Sequence, residues 1–448
     1  MSPRIPLIIV SYHCAPSPAV GAKRFSFLAR EFTAQGYDVH VIANELEPSK
    51  LGAADGSLPQ AGTVHRVAAP IKLPLAGGWF ARRINSLARR LLAPVSLEYF
   101  WARAATKLGV RIGRRLPRGI VIATNPPHAA AIAGARIARQ LGWPFVLDYR
   151  DPWTANDWPK WRRSAIELAL ARPIEARLVR QSAARVLNTP TMREYFERDF
   201  QNALGARNFV IPNGFDPVEA LASPPDSGGI EIVHAGEIYT GRSLVPVLKA
   251  ARTLAARHPG RPIRVTTYGD LPPIEWQRIR EAGVEDLVQV LPRIPFTELF
   301  GRLQRAHVLL ALVSDHMLYS TPYKVYDYMA ADRPILGLAH HGAALFDFLE
   351  ESGAGTCVEF GDDAGVETAL ERLLFAPNAG LAPHTERFRW SNLAIEYRAV
   401  LDAVVADGNA SRATVSGLRA PDPSAPSAAL DTSSRTAPAG RSASAPSR

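Results

Sequence analysis

Residues 120–148 read IVIATNPPHAAAIAGARIARQLGWPFVLD, and this stretch decides the fold. A short apolar run, Ile120–Thr124, comes first, and an alanine-rich helical pattern over 128–140 follows it. A second apolar run, Phe145–Asp148, comes next. Because parallel strands are joined by a long crossover that is usually a helix, the stretch predicts a βαβ unit.

The same alternation continues along both halves of the chain and predicts an α/β fold with parallel sheets. In the first half we predict strands at Leu7–Tyr12, Val39–Ala43, Val64–Val67, Ile120–Thr124, Phe145–Asp148, Arg185–Asn188 and Asn208–Ile211. The helices predicted between them are 22–35, 79–92, 97–114, 128–140, 160–181 and 191–199. In the second half the predicted strands are Ile230–Ala235, Ile263–Tyr268, Val288–Leu291, Val308–Val313, Ile335–Leu338 and Gly355–Val358.

A loop rich in proline and glycine, FVIPNGFDP at 209–217, separates the two alternations and predicts a hinge. We therefore predict two Rossmann-like, doubly wound domains, residues 1–212 and residues 213–387. An amphipathic helix over 388–406 completes the first of them. Residues 407–448 are rich in Ala, Ser, Pro, Thr and Arg, and this composition predicts a disordered tail.

Composition excludes several classes of protein. The 448 residues are 47% hydrophobic and 21% charged, which is ordinary for a globular protein. Two distant cysteines, Cys14 and Cys357, indicate neither a disulfide framework nor a zinc site. The N-terminus lacks the features of a signal peptide, and no window approaches a membrane span, so we expect a cytoplasmic protein.

Positive charge is concentrated in residues 72–118, where eleven basic residues accompany one acid and account for the whole formal net charge of +10. Within this segment, the predicted helix 79–92 has an apolar face and an arginine face, which is typical of binding to an anionic membrane surface. A core-packed helix with a solvated arginine face is the alternative. No nucleic-acid-binding motif accompanies the charge, so nucleic acid is not an expected partner.

Glycines and cations follow two predicted strands, where open α/β sheets bind their ligands. Gly21 and Lys23 come after the first strand of the chain, in HCAPSPAVGAKRF. Gly236, Gly241 and Arg242 come after Ile230–Ala235, in GEIYTGRS. Both stretches predict close approach of backbone to an anion, and an ordinary strand–helix turn is the alternative for each.

Two further strand ends carry polar side chains. His128 follows two prolines in NPPHAAA, and DYRDPWTANDWPKW supplies Asp148, Arg150 and Asp151. Because the second stretch combines charge with three tryptophans, we interpret it as the wall of a site. A surface loop with Asp–Arg pairs is the alternative.

The stretch STPYKVYDYMAADRPILG, residues 320–337, places Lys324 and Asp327 on one face of a short helix. Most other positions of this helix are apolar, so a desolvated intrahelical ion pair would contribute little stability. We therefore favour a ligand for both groups over such a pair. The hydroxyl of Thr321 and nearby backbone N–H groups could bind phosphate oxygens.

Taken together, TNPPHAAAIAGARIARQLGWPFVLDYRDPWT, VIPNGFDP, HAGEIYTGRS and TPYKVYDYMAADRPILG resemble the family-4-like glycosyltransferases, particularly bacterial enzymes that build surface polysaccharides. The likeness covers about residues 5–405 and implies the GT-B arrangement of two facing Rossmann-like domains. It implies a nucleotide-sugar donor, a glycan or lipid-linked acceptor, retention of anomeric configuration, and no metal or cofactor. An anionic membrane surface would then be met from the cytoplasmic side.

The resemblance also implies roles for individual residues. Arg242 and Lys324 would neutralise the diphosphate and, with Asp151, act in catalysis. The remaining donor-binding residues would be Gly236, Gly241, Gly269, Arg293, Ile294, Thr321 and Asp327, the last of which would hold the ribose. The acceptor-side residues would be Gly21, Lys23, His128, Asp148 and Arg150.

One position departs from the family pattern. The family has two glutamates with seven residues between them, whereas this chain has Asp327 at the second position and Tyr319 at the first. The contact to the donor sugar therefore stays unassigned. A nucleotide-sugar 2-epimerase of the same fold and a non-catalytic scaffold are the alternative functions.

Overall fold

The structure is a computed structural model. It describes the residues in these ranges: 4–45, 58–68, 98–154, 165–200, 207–218, 229–239, 241–376 and 384–417. The predicted helix 79–92, with most of the basic segment 72–118, and the tail beyond residue 417 lie outside the described residues.

The first sheet contains seven parallel strands in the order β3-β2-β1-β4-β5-β6-β7. Their bounds are β1 Pro6–Val10, β2 Asp38–Asn44, β3 Thr63–Val67, β4 Ile120–Asn125, β5 Phe145–Tyr149, β6 Ala184–Leu187 and β7 Asn208–Val210. The strand order reverses between β1 and β4, where Leu7 pairs with Ile120. All seven strands predicted in the first half are confirmed to within two residues at each end.

The second sheet contains six parallel strands in the order β10-β9-β8-β11-β12-β13. They are β8 Ile230–Ala235, β9 Ile263–Tyr268, β10 Val288–Leu291, β11 Val308–Leu312, β12 Ile335–Ala339 and β13 Gly355–Glu359. The order reverses between β8 and β11, where Val308 pairs with Ile232. The predicted α/β class with two doubly wound parallel sheets is confirmed.

Helices cover the faces of both sheets. In the first half, the described helices are α1 Val20–Ala34, α2 Tyr99–Gly113, α3 His128–Leu141, α4 Ala165–Gln181 and α5 Pro190–Phe200. In the second half they are α6 Val245–Arg257, α7 Pro273–Glu281, α8 Phe296–Arg305, α9 Lys324–Ala330, α10 Ala344–Ser352, α11 Asp363–Phe375 and α12 Trp390–Gly417. The last helix extends eleven residues beyond its predicted end at 406.

Small side chains let α3 lie close to the first sheet. Ala129, Ala130 and Ala131 are fully buried. A Cβ atom at Gly134 would stand 2.6 Å from the Cβ of Ala123 on β4, closer than side-chain carbons approach one another. The alanine-rich pattern in the sequence therefore reflects close packing of this helix on its sheet.

The chain passes between the sheets twice, and the two crossings are joined by backbone hydrogen bonds. The N–H of Phe215 donates to the carbonyl of Phe388, and the N–H of Trp390 donates to the carbonyl of Phe215. Trp390, Leu393 and Tyr397 of α12 then pack into the core beneath the first sheet. Below, the first lobe means the first sheet with its helices and this part of α12, and the second lobe means the second sheet with its helices.

The predicted hinge at 209–217 is not a free loop. Ile211, Asn213 and Phe215 are buried. Arg24 of α1 donates hydrogen bonds to the carbonyls of Ile211 and Pro212. Backbone groups of the crossing are thus satisfied by a buried guanidinium, and the crossing is held against the first lobe.

Candidate active site

A cavity of about 590 Å³ lies between the two lobes, at the carboxyl ends of their central strands. Its first-lobe wall includes Val20, which follows β1, and Arg150, which follows β5. Its second-lobe wall includes Gly236 after β8 and Val313 after β11. In the second lobe these positions flank the point where the strand order reverses, and in the first lobe they follow the strands on either side of β4, next to that point. Open α/β sheets place their ligands in this region.

Lys324, the first residue of α9, lines this cavity. Its ammonium Nζ stands 2.9 Å from Nε2 of His234. Burial and, to a smaller extent, the charge of Arg242 lower the pKa of Lys324 to about 7, while Asp327 opposes this shift. The predicted cation therefore lines the cavity. A bound anion would raise its pKa and favour the protonated, charged form.

Arg242 is a buried cation of the same cavity, with 5% of its surface exposed. Its guanidinium lies over the ring of Tyr239, with 4.1 Å between the guanidinium carbon and the ring centroid. Its Nε atom and the hydroxyl of Thr321 have no hydrogen-bond partner within the described part of the chain. Buried donors of this kind favour a bound polar ligand.

Asp327 of α9 forms an ion pair with the first lobe. Both of its carboxylate oxygens accept hydrogen bonds from Lys23 of α1, at 2.9 and 3.0 Å. The Lys23 ammonium also stands 3.9 Å from the centroid of the Phe296 ring. The alternative of an intrahelical Lys324–Asp327 pair is therefore wrong, and the carboxylate instead joins the two lobes across the cavity.

The three predicted glycines differ in what they do. Gly236 lines the cavity with a positive φ of 107°, and a Cβ atom there would stand 3.3 Å from the Lys324 ammonium. Gly269 packs directly beneath it, because a Cβ on Gly269 would lie 2.7 Å from the carbonyl carbon of Gly236. Gly241 lies against Ser314. Only Gly236 of these three lines the cavity, and the other two support its wall.

Arg293 and Ile294 line the cavity as predicted by position. Arg293 forms a 2.5 Å ion pair with Glu237, a cavity residue that we did not predict. Glu237 directly follows Gly236, so the strand-end rule that selected the glycine could also have selected this carboxylate.

A second cavity, of about 500 Å³, adjoins the first in the first lobe. Gly21 and His128 line it, and Arg150 and Asp151 line both cavities. The His128 ring stacks on Trp153 with 4.1 Å between ring centroids. Burial raises the pKa of Asp151, and Arg150 opposes that shift. Asp151 therefore stands at the junction of the two cavities.

Asp148, predicted on the acceptor side, lines neither cavity and is fully buried. Nε of Arg24 donates to its carboxylate at 3.0 Å, and Nη2 of Arg24 donates to it at 2.9 Å. The hydroxyl of Tyr397 on α12 adds a third donor at 3.3 Å. The expectation of an acceptor contact is therefore corrected: Asp148 joins α1, the sheet and α12 beneath the cavity.

Tyr319, at the position of the family's first glutamate, also points away from the cavity. It is 2% exposed and packs in the core of the first lobe. Its carbonyl accepts a hydrogen bond from the hydroxyl of Thr189, at 2.5 Å. The side chain at this position therefore binds the second lobe to the first and does not supply a polar contact to a sugar.

The charge of the larger cavity is positive. Six cations line it, namely Lys23, Arg24, Arg150, Arg242, Arg293 and Lys324, against the acids Asp151, Glu237 and Asp327. Among the described residues, Lys324 and Arg242 have no carboxylate within ion-pair distance, and no cluster of side chains suited to a metal ion occurs there. None of the helices in the described ranges is long and apolar enough to cross a membrane.

Two doubly wound lobes of this kind, with a cavity at the carboxyl ends of both sheets, form the GT-B fold. Residues 21–214 match the model of the glycosyl transferase 4-like domain. The chain is thus a transferase enzyme that carries a glycosyl transferase 4-like domain in its first lobe. No curated protein sequence matches the chain.

Solved structures share the whole fold at low sequence identity. Sucrose-phosphate synthase from Thermosynechococcus elongatus is similar with a TM-score of 0.58 and 14% identity, covering 92% of this chain and 100% of that chain. Trehalose 6-phosphate synthase from Burkholderia multivorans is similar with a TM-score of 0.56 and 16% identity, covering 94% of this chain and 100% of that chain. The lipopolysaccharide outer core galactosyltransferase WaaB is similar with a TM-score of 0.53 and 12% identity, covering 90% of this chain and 99% of that chain.

Proposed function

We propose that the protein transfers a sugar from a nucleotide-diphosphate donor to a glycan or lipid-linked acceptor in surface glycan biosynthesis. The observation that carries this proposal is a pair of cations, the partly buried Lys324 and the buried Arg242, that line the cavity without a carboxylate partner among the described residues. A diphosphate supplies the missing negative charge. Thr321 and the positive-φ backbone at Gly236 add a hydroxyl donor and room for close approach.

The reaction breaks the bond between the anomeric carbon and the diphosphate, and its electron pair stays on the leaving oxygen. A new bond forms between that carbon and an acceptor oxygen, whose proton passes to the departing phosphate. Negative charge grows on the diphosphate during this step, so fixed cations stabilise the transition state more than the ground state. Lys324 and Arg242 supply that charge, and the proposal requires no metal or cofactor.

Retention of anomeric configuration belongs to the proposal because the chain resembles the family-4-like enzymes. The acceptor is assigned to the second cavity, which meets the first at Arg150 and Asp151. A nucleotide-sugar 2-epimerase needs no acceptor site, so the adjoining cavity favours transfer. If the protein releases free epimerised sugar when no acceptor is present, the epimerase is the correct function.

The first prediction concerns ligand class. Nucleoside diphosphates are expected to raise the melting temperature, whereas the matching nucleosides do not, because the contacts proposed here are to phosphate. Ligand at one hundred times its dissociation constant stabilises a protein by about 2.7 kcal/mol. A thermal-shift panel of ADP, GDP, UDP and CDP, with and without EDTA, measures this effect.

Arg242→Met is the matched test of that panel, because methionine keeps much of the buried stem and removes the charge. The variant should lose most of the diphosphate-dependent shift and keep its melting temperature in buffer. Equal shifts from nucleosides and nucleoside diphosphates, or no shift from any of them, would contradict the proposal.

We also propose that the first lobe binds the cytoplasmic face of an anionic membrane. Four cations from α2 and α3, namely Arg103, Lys107, Arg136 and Arg139, line a surface groove of about 520 Å³ that no acidic side chain lines. This groove includes part of the basic segment 72–118. Clustered cations of this kind attract acidic lipid headgroups.

The second prediction is binding to phosphatidylglycerol vesicles at low salt and release at high salt. The Debye length falls from about 30 Å at 0.01 M to about 3 Å at 1 M, so surface charges are then screened. Exchanging three exposed groove residues, Arg103, Lys107 and Arg139, for glutamate should abolish sedimentation with the vesicles. The matched control exchanges three exposed arginines of the second lobe, Arg264, Arg280 and Arg305. Equal binding by both triple variants would refute a docking role for the groove.

A further inference from the structure

His234 is a fully buried histidine near the end of β8, immediately behind the cation of the cavity. Its Nε2 atom stands 2.9 Å from the Lys324 ammonium. Its Nδ1 atom stands 3.3 Å from the hydroxyl of Thr267 on the neighbouring strand β9. His234 does not line the cavity, so it can act on a ligand only through Lys324.

The protonation states of His234 and Lys324 decide which atom donates and which accepts in this hydrogen bond. Burial, together with the nearby charges of Lys324 and Arg242, lowers the pKa of His234 well below its usual value, so the ring is neutral. An ammonium group can only donate hydrogen bonds, so Nε2 must accept from it. The ring proton then resides on Nδ1, beside the hydroxyl of Thr267. His234 is thus a neutral hydrogen-bond acceptor for the partly buried ammonium of Lys324.

The other groups around Lys324 do not hold its ammonium in place. Arg242 repels it, and Asp327 on the same helix attracts it but is bound by Lys23 of the first lobe. On the cavity side, a Cβ atom at Gly236 would stand 3.3 Å from Nζ, so the missing side chain leaves that face open. Among the described residues, His234 is the hydrogen-bond partner of Nζ.

We propose that His234 is a positioning residue, which holds the Lys324 ammonium in its charged form and directs it at the diphosphate. The diphosphate in this statement rests on the proposed function, whereas the action of His234 on Lys324 does not. His234 contacts the Lys324 ammonium from the protein interior, and Gly236 has no side chain to cover it on the cavity side. The ammonium is therefore accessible from the cavity, where the ligand is proposed to bind.

A pH dependence follows from this arrangement. The pKa of Lys324 lies near 7 in the empty protein, so the ammonium loses its proton as the pH rises above that value. Diphosphate binding must then restore the proton, and affinity should fall by about tenfold for each further pH unit. Removing the acceptor disfavours the charged form, so the fall should begin about one pH unit lower.

Two variants and one control test the inference. His234→Leu removes the acceptor, while His234→Gln returns an oxygen acceptor near the position of Nε2. Pulse labelling of the empty protein with acetic anhydride across pH, read by mass spectrometry, reports the neutral fraction of Lys324. Lys249, an exposed lysine of the second lobe, is the internal reference. Dissociation constants for the tightest of ADP, GDP, UDP and CDP are measured over the same pH range.

The labelling midpoint of Lys324 is expected near pH 7 in the wild type and in His234→Gln, and about one unit lower in His234→Leu. The dissociation constant of His234→Leu should exceed that of the wild type by about twofold at pH 6 and about tenfold at pH 8. A labelling midpoint unchanged by His234→Leu would overturn the inference, even if nucleotides bind. If the midpoint shifts but no nucleotide binds, the inference about Lys324 stands and the proposed function fails.

Discussion

Replacing Lys324 with methionine is expected to reduce turnover by about 10²–10³-fold, the usual effect of removing one group that stabilises developing charge. The ammonium lines the cavity and has no carboxylate within ion-pair distance among the described residues, so its charge is available to the leaving diphosphate. Methionine keeps the length of the buried stem. Sugar transfer is measured as nucleotide release under saturating donor and acceptor, near pH 7.

The matched control for this prediction is Lys249→Met, which removes a half-exposed lysine of the same lobe that pairs with the exposed Asp363. Surface pairs of this kind contribute little, so activity and melting temperature should both be unchanged. The Lys324 variant should also melt like the wild type, because a desolvated cation is not a stabilising group. Transfer at wild-type rates in the Lys324 variant would remove the proposed mechanism.

The strands were predictable because buried parallel strands have a recognisable sequence pattern, a short run rich in apolar and β-branched residues. Runs such as Ile230–Ala235 and Ile263–Tyr268 are short, rich in β-branched residues and bounded by turn residues, and both are observed at their predicted bounds. Helix ends were less well predicted. The start of α12 moved to Trp390 because backbone groups at 388–390 join the crossing at Phe215, a contact between distant residues.

The residues of the candidate site were predictable where they follow the carboxyl end of a strand, because that position alone indicates a ligand-binding role. Gly236, Arg242 and Lys324 follow strands whose carboxyl ends meet at one edge, and all three line the cavity. Their partners were not predictable. Lys23 and Asp327 are 304 residues apart in sequence, and no local pattern indicates that they form an ion pair.

The contact of His234 with Lys324 was also not predictable from the sequence. A histidine inside an apolar strand is most simply interpreted as a core residue, and its burial agrees with that interpretation. Its function depends on the Lys324 ammonium, which the fold brings from 90 residues away. Asp148 and Asp151 could not be distinguished by sequence either, since both belong to one charged stretch. One lies inside β5 and is buried, and the other lies beyond the strand and reaches the cavities.

Replacing Asp148 with asparagine is expected to lower the free energy of unfolding by about 3–5 kcal/mol, the usual cost of leaving a buried charge without its partner. Arg24 is 1% exposed and donates hydrogen bonds to this carboxylate from both Nε and Nη2. Its remaining donors hold the crossing at Ile211 and Pro212. Urea unfolding followed by tryptophan fluorescence should show a large fall in the midpoint, with acceptor KM unchanged in the folded protein.

The chain offers a matched control in Arg30 and Asp216, which join the same helix α1 to the same crossing but are about one-third exposed. Asp216→Asn should cost about 1 kcal/mol or less, because water replaces the lost partner. The double variant Arg24→Met, Asp148→Leu should recover most of the stability lost by Asp148→Asn, since it removes both charges together. If Asp148→Asn instead unfolds like the wild type and raises acceptor KM, the carboxylate acts on substrate, and the buried ion pair is not its main role.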